Sequence, residues 1–506
     1  MRFAPIAAFA LFGALPASAA WQRASSPHFI IYADESPAKL KAFAEKLERF
    51  DQAVRVTRSM KDPPVGDGNR STVFVVSGPV EVQKLHPGIN NRVNGFYRTR
   101  ATGSVAVVPR SVSRGSVETP DMIFFHEYAH HLMFQEINTP YPPWLVEGFA
   151  EFMGTAEINA DGSVGLGGAP VHRAGALYRT KNPLPFSAMQ GAEVPRSGPE
   201  RGALYSRGWL LAHYLTFAPK RRGQIEAYLA GIAAGRPPLA AAKAAFGDIT
   251  ALERETEDYL KADKFPYLTI PSRQIMIGAV TVEAVSPGMA ALMPLMMRHK
   301  AGTDGDNRNG LATRFRAAAA PFPADPMVQA ALAEVELAAD DAVAAEAAAD
   351  RAIAAQSQMV DALIVKGRAI LARATAKQPG ASFTDARRWL MRANKIDPED
   401  PEPLILFYQT YRSEKIRPTA NAIAALHYAA SLAPQDPGLR LNNARQYLFD
   451  SKPAEARKAL IPLAYNPHGG RLSDEARRLI GLIDSGQITA AVAATDEPSA
   501  ALTPEK

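Results

Sequence analysis

Residues 119–135 read Thr119-Pro120-Asp121-Met122-Ile123-Phe124-Phe125-His126-Glu127-Tyr128-Ala129-His130-His131-Leu132-Met133-Phe134-Gln135. The opening is a helix start. Thr119 can cap, Pro120 suits the first helical position and Asp121 favours the positive end of the dipole. The spacing predicts a helix to about Gln135. On it His126 and His130 stand four apart, on one face, so both imidazoles can reach one cation. Glu127 sits one position along, placed to take a proton from a water attacking a carbonyl beside that cation. Ile123, Phe124 and Phe125 precede the polar positions, and Leu132, Met133 and Phe134 follow them. This embeds two histidines and a glutamate in a mostly buried helix, which is costly without partners and is offset by a bound metal. His131 points about 100° away from His130 and reads as a non-ligand.

A catalytic zinc takes three protein ligands and keeps a fourth position open. The next helix start, Tyr141-Pro142-Pro143, leads into Trp144-Leu145-Val146-Glu147-Gly148-Phe149-Ala150-Glu151, with Gly154 as the stop. A short link at 138–142 lets this helix return antiparallel and bring Glu147 to the two histidines. Glu151, four residues on, shares its face and is placed to accept the outward N–H of a ligand histidine, fixing its tautomer.

His126 to His130 followed by Trp-Leu-Val-Glu-Gly resembles the gluzincin metallopeptidases, in particular the peptidase MA-like and aminopeptidase-N-like branch. The resemblance implies one zinc ion per chain held by His126, His130 and Glu147. It implies Glu127 as the general base acting on a zinc-bound water, within a thermolysin-like core of a small sheet and the active-site helices. Tyr205-Ser206-Arg207-Gly208-Trp209 resembles the Tyr-x-Lys/Arg-Gly helix of the same branch. That implies the Tyr205 hydroxyl as a donor to the developing oxyanion. The branch also implies a strand along the cleft that binds extended peptide by main-chain pairing, and residues 104–108 are the candidate. The G-x-M-E-N element with which aminopeptidases grip a free amino end is missing from the sequence, so the expected action is endopeptidase rather than aminopeptidase. His213, on the Tyr205 helix, is placed to line the cleft but reads more readily as a satisfied core or surface histidine. His28, His86, His172, His299, His427 and His468 stand alone and receive no role.

Outward from this centre, Phe29-Ile30-Ile31-Tyr32 and residues 72–76, 93–98 and 104–108 read as strands. Leu40, Phe43, Leu47 and Phe50 recur at helical steps. Residues 161–168 read as a Gly-rich loop, and 202–215, 223–234 and 249–262 as helices. Past Pro323 alanine dominates. Ala393-Asn394-Lys395-Ile396-Asp397-Pro398 and Ala429-Ala430-Ser431-Leu432-Ala433-Pro434 recur 36 residues apart, close to the tetratricopeptide period of about 34. This part resembles tetratricopeptide repeats, which bury their apolar faces by stacking. The expected fold class is therefore α+β: a thermolysin/aminopeptidase-N-like zincin catalytic domain followed by an all-α tetratricopeptide-like domain. The expected division is 1–20 signal peptide, 21–275 zinc metallopeptidase domain, 276–323 connector or first helices of the array, 324–485 repeats and 486–506 disordered tail.

Length and composition bound the rest. A chain of 506 residues allows two to four compact units. It has no cysteine, so thiolate chemistry, disulfides and Cys-ligated metal are excluded and a metal site must use His, Glu and Asp. The net charge of +6 is dispersed, and its densest run, Lys220-Arg221-Arg222, is too short for a nucleic-acid footprint. Arg2, the apolar stretch from Ile6 to Leu15, and the small residues Ala17-Ser18-Ala19-Ala20 form an export signal. The mature protein is expected outside the cytoplasm, periplasmic or secreted, with no integral membrane segment after signal removal. The expected partners are a peptide or protein substrate and a protein docked on the repeats. Two other functions fit the same residues: a silent peptidase fold serving as a scaffold, and a zinc hydrolase of non-peptide amides or esters.

Overall fold

The computed structural model describes residues 21–62, 64, 66–88, 93–135, 141–179, 199–262, 264–302, 307–465 and 470–496. The expected signal peptide, His468 and most of the 138–142 link lie outside the described residues.

The first half alternates short strands and helices: β1 (Trp21–Ser25), β2 (Phe29–Asp34), α1 (Pro37–Arg58), β3 (Ser71–Val76), α2 (Pro79–Leu85), β4 (Phe96–Arg98) and β5 (Val105–Pro109). Then come α3 (Pro120–Gln135), α4 (Pro143–Gly154), β6 (Glu157–Ile158), β7 (Val164–Leu166), α5 (Ala174–Arg179), α6 (Pro199–Phe217), α7 (Gln224–Ala233), α8 (Pro238–Phe246), α9 (Ile249–Leu260), β8 (Leu268–Ile270) and β9 (Thr281–Ala284). Six strands form one sheet in the order β4-β5-β3-β2-β1-β9, parallel at β2–β3 and β3–β5 and antiparallel elsewhere. A three-stranded antiparallel sheet, β6-β7-β8, stands apart.

The two-residue period of a strand sends alternate side chains to opposite faces. In β3 and β5, Val73, Val75, Ala106 and Val108 enter a core with Phe50 of α1 and Phe124 and Phe125 of α3. Phe74, Val76, Val105 and Val107 enter another core on the other face. Both faces are covered, so all five residues of β5 are buried. A third core, around Trp144, Leu211, Tyr228 and Leu252, binds α4 and α6 to the following helices.

The second half is helical: α10 (Pro287–Ala301), α11 (Arg308–Ala319), α12 (Pro326–Ala338), α13 (Ala342–Ala355), α14 (Val360–Thr375), α15 (Phe383–Ile396), α16 (Pro401–Glu414), α17 (Ala420–Leu432), α18 (Pro437–Phe449), α19 (Pro453–Ala464), α20 (Arg471–Asp484) and α21 (Ile488–Asp496). Consecutive helices stack in an array. Alanine lets them approach: Ala345, Ala348, Ala349 and Ala352 form the buried side of α13. Asp325, Asp400 and Asp436 each cap a helix whose first residue is proline, an arrangement that satisfies an orphan N–H and pre-sets the backbone. The two sequence-repeated Asp/Pro turns are also where the array rests on the first half. Asn69 Nδ2 donates to the Glu399 carbonyl at 3.1 Å, and Ala101 N donates to Asp436 Oδ2 at 2.7 Å.

Four expectations are corrected. Residues 104–108 do not form an edge, because β5 is paired on one side with β3 and on the other with β4 (Phe96↔Val107, Tyr97↔Ala106). Among the described residues the edge there is β4. The first domain does not end at 275: β9 pairs with β1, with Arg23 bound to Glu283 at 2.9 Å, and only then do α10 and α11 supply the helices that are the alternative expectation for 276–323. Helix α10 packs Leu292, Met293 and Met296 onto the sheet's second face. The 161–168 loop contains β7. Finally, α21 occupies 488–496 of the segment expected to be disordered, and the residues after 496 lie outside the described ones; Ala491 is buried in one cluster with Leu479 and Ala476. Among the described residues no helix is long and apolar enough to cross a membrane.

Candidate metal centre

Three helices build the site. Helix α3 presents His126, Glu127 and His130; α4 presents Glu147 and Glu151; α6 presents Tyr205. The approach of α4 to α6 depends on two missing side chains. A Cβ on Gly148 would stand 2.4 Å from the Gly208 backbone, and one on Gly208 would stand 2.4 Å from the Trp144 carbonyl. These are the glycines of the Glu-Gly and Arg-Gly motifs, so their physical role is to let two backbones touch. Gly154 does the same more loosely against α3, where a Cβ would lie 3.3 Å from that of His126.

His126 Nε2 lies 3.6 Å and His130 Nε2 3.5 Å from Glu147 Oε2. One ligand atom from each of the three residues falls within 4.8 Å of the others. Zinc bonds to such atoms are about 2.0–2.2 Å, which puts tetrahedral ligands about 3.3–3.6 Å apart. Two imidazoles and a carboxylate at this spacing fit zinc. Glu147 is 3% exposed and Glu151 1%, so neither is a solvated helix carboxylate.

Glu151 takes four contacts. Arg173 donates from Nε at 2.9 Å, with Nη2 at 2.7 Å; His172 Nε2 lies at 3.0 Å, and His126 Nδ1 at 3.4 Å. Burial raises the carboxyl pKa, but His172, His126 and Arg173 outweigh it and bring it to about 2. A permanent carboxylate beside Nδ1 keeps that nitrogen protonated and leaves Nε2 to face Glu147. Burial also opposes charge on His126. The bond to Glu147 and the charges of Glu151 and Glu127 prevail and lift its pKa to about 9, so a cation binding there displaces a proton.

Glu127 is half-buried, and burial, against the pull of both histidines, raises its pKa and makes it a stronger base. With His130 and Phe134 it lines a cleft that also reaches Tyr97 and Thr99 at the β4 edge. The Tyr205 ring stacks on His126 at 5.9 Å and 22°. The Arg173 guanidinium lies 4.8 Å from the centre of that ring. All six sequence-derived residues thus converge. His172 and Arg173 were missed. They sit on a short turn, Val171–Arg173, and no local pattern links that turn to α4.

His131, His213 and His28 have partners away from the three ligand candidates. His131 bonds Tyr97 Oη at 2.9 Å and Gln135 Nε2 at 2.9 Å, and burial lowers its pKa to about 3. His213 Nε2 faces the carbonyls of Gly167 and Pro266 at 2.9 and 3.0 Å. His28 belongs to a second close group, with Asp51 and Asp62. There Arg55 grips Asp51 with two bonds of 2.6 and 3.0 Å, and Tyr128 donates to the same carboxylate at 2.9 Å.

No family model matches the chain, and no curated protein matches it. Among solved structures, the chain is similar to PilF of Pseudomonas aeruginosa, at 17% identity over 44% of this chain and 96% of that one, with a TM-score of 0.32. It is also similar to TTC0263, a tetratricopeptide protein of Thermus thermophilus, at 18% identity over 41% and 99%, with a TM-score of 0.32. Likeness at that level carries no argument, and the repeat architecture rests on the helix packing itself.

Proposed function

We propose that this chain is an exported zinc-dependent peptidase that hydrolyses internal peptide bonds. The observation that carries the reading is the convergence of the His126, His130 and Glu147 ligand atoms, all within 4.8 Å, on a cleft lined by Glu127. Zinc bound there supplies Lewis acidity toward water and toward the scissile carbonyl. Glu127 takes the proton of the attacking water and returns it to the leaving nitrogen. Tyr205 donates to the carbonyl oxygen as charge develops. Glu151, held by His172 and Arg173, keeps the His126 ring in one tautomer.

Two measurements test this. The mature protein is expected to carry one zinc per chain by elemental analysis, with the content sharply reduced in Glu147→Ala. Glu127→Ala is expected to keep zinc while cleavage of a denatured protein falls by about 10²–10⁴-fold. Full activity in Glu127→Ala, or no zinc in the parent after reloading, overturns the reading. The stacked array α10–α21 supports a second reading, a scaffold that docks protein partners on its repeats. Zinc-loaded protein that binds proteins yet cleaves none would favour it.

A further inference from the structure

The cleft beside Glu127 and His130 has a wall that does not come from the first half. Pro434, Gln435, Pro437 and Arg440, from the second repeated turn and the start of α18, line it together with Pro462 and Leu463 of α19. This wall is fixed in place. Arg440 Nη2 donates to the Phe134 carbonyl of α3 at 3.2 Å, and its Nε donates to the Pro434 carbonyl at 3.0 Å. Asp436 caps α18 through Leu439 N with one oxygen and accepts from Ala101 N with the other.

Gln435 stands out in this wall. The residue is 9% exposed, and its Oε1 is buried with no hydrogen-bond partner among the described residues. Buried amide oxygens are normally paired. The cleft is also lined by Tyr97 and Thr99 at β4, which is an edge of the six-stranded sheet among the described residues. An edge strand recognises an extended chain through its main chain. The remaining surface of the wall is largely proline and leucine.

We propose that the repeat array is the far wall of the substrate cleft. Gln435 pairs with a peptide unit of the bound chain, and an apolar substrate side chain rests on Pro434, Pro437 and Leu463. The inference deepens the peptidase reading and rests on it for the name of the occupant. A carboxamide suits the task, because its oxygen accepts from a peptide N–H and its nitrogen donates to a peptide carbonyl. It reads the main chain and leaves selectivity to the apolar contacts, so the preferred substrate carries an uncharged, apolar residue near the cleaved bond.

The test uses the full chain and two fluorescein-labelled heptapeptide pools, randomised except for a central Leu or a central Asp. Binding is read by anisotropy in the presence of chelator, so that no turnover intrudes, and cleavage is read separately with zinc. The expected result is tighter binding of the Leu pool and about fivefold to tenfold weaker binding of that pool by Gln435→Leu, the size of one hydrogen bond. With zinc, the same factor appears in KM and not in kcat. Gln435→Met, which keeps the length without the amide, serves if the Leu variant does not fold. Equal binding by parent and variant, or no binding of either pool, overturns the inference. Weakened binding in the variant with no zinc-dependent cleavage by the parent leaves the wall standing and removes the peptidase reading. Cleavage that is identical in parent and variant does the reverse.

Discussion

Two clusters of histidine and acid lie within reach of helix α3, and both bring three ligand-type atoms within 4.8 Å. In one, His28, Asp51 and Asp62, the chain supplies the cation: Arg55 forks onto Asp51, while His28 Nδ1 meets Glu48 at 2.7 Å. Burial disfavours charge on His28, yet Asp51 and Glu48 outweigh it and raise its pKa. Burial likewise opposes the Asp51 charge, and His28 and Arg55 lower its pKa nonetheless. In the other, His126, His130 and Glu147, the charged neighbours of His126 are carboxylates, and Arg173 is spent on Glu151. Proximity alone therefore does not mark a metal site. What separates the two is whether an arginine completes the charge balance.

The comparison breaks most visibly at Asp51. Replacing it by alanine removes the carboxylate onto which Arg55 forks and to which Tyr128 donates, which costs about 3–5 kcal/mol of stability for a buried ion network. Zinc content stays at the parent value, by urea unfolding and elemental analysis of the same sample. Loss of zinc in Asp51→Ala would mean that the clusters are not distinct. On the other side, Glu151→Gln keeps the shape but removes the charge that orients His126. Its zinc affinity, by competition with a coloured chelator, is expected to fall about 10–100-fold, the usual cost of losing such a partner. An unchanged affinity would reduce Glu151 to a packing role.

His213 sharpens the contrast as a buried histidine whose hydrogen-bond partners are all neutral. Burial, against its two carbonyl partners, lowers its pKa to about 4. Tyr259 Oη lies 2.9 Å from Nδ1. Because the folded pKa lies below the unfolded value of about 6.5, the unfolded chain binds the proton first. Stability is full above pH 6.5 and is lost as pH falls toward 4. This one group contributes a loss of about 2 kcal/mol between pH 7 and pH 5. His213→Gln, whatever its stability at pH 7, loses that part of the slope. An identical slope in parent and variant would show that His213 titrates normally in the fold.

Much of the site was legible because its signals are local. Pro120 and Pro143 start α3 and α4 where the sequence places them, and Gln135 and Gly154 end them. The four-residue spacing of His126 and His130 is a property of one helix. The Asp/Pro turns likewise mark the helix starts at Pro401 and Pro437. Contacts between distant segments were not legible. Strands β1 and β9 pair across some 260 residues through a four-residue register, and a two- or three-residue strand such as β6 or β8 has no period to read. His172 and Arg173 reach Glu151 from a turn that carries no motif, and Gln435 reaches the cleft only through the docking of the array. The misreading of 104–108 as an edge has the same cause, since strand order depends on pairing and not on strand composition.

The late position of β9 has a consequence in time. A chain made from its amino end exposes β1 as an open sheet edge until residue 284 has been added, and exposes the Phe74–Val107 face until α10 follows. An uncovered edge and an apolar face invite pairing with other chains. The order of synthesis therefore delays completion of the first half until the array has begun. A protein cut at 275 is a permanently arrested form of that nascent state, and expression of the first half alone needs residues through at least Ala301.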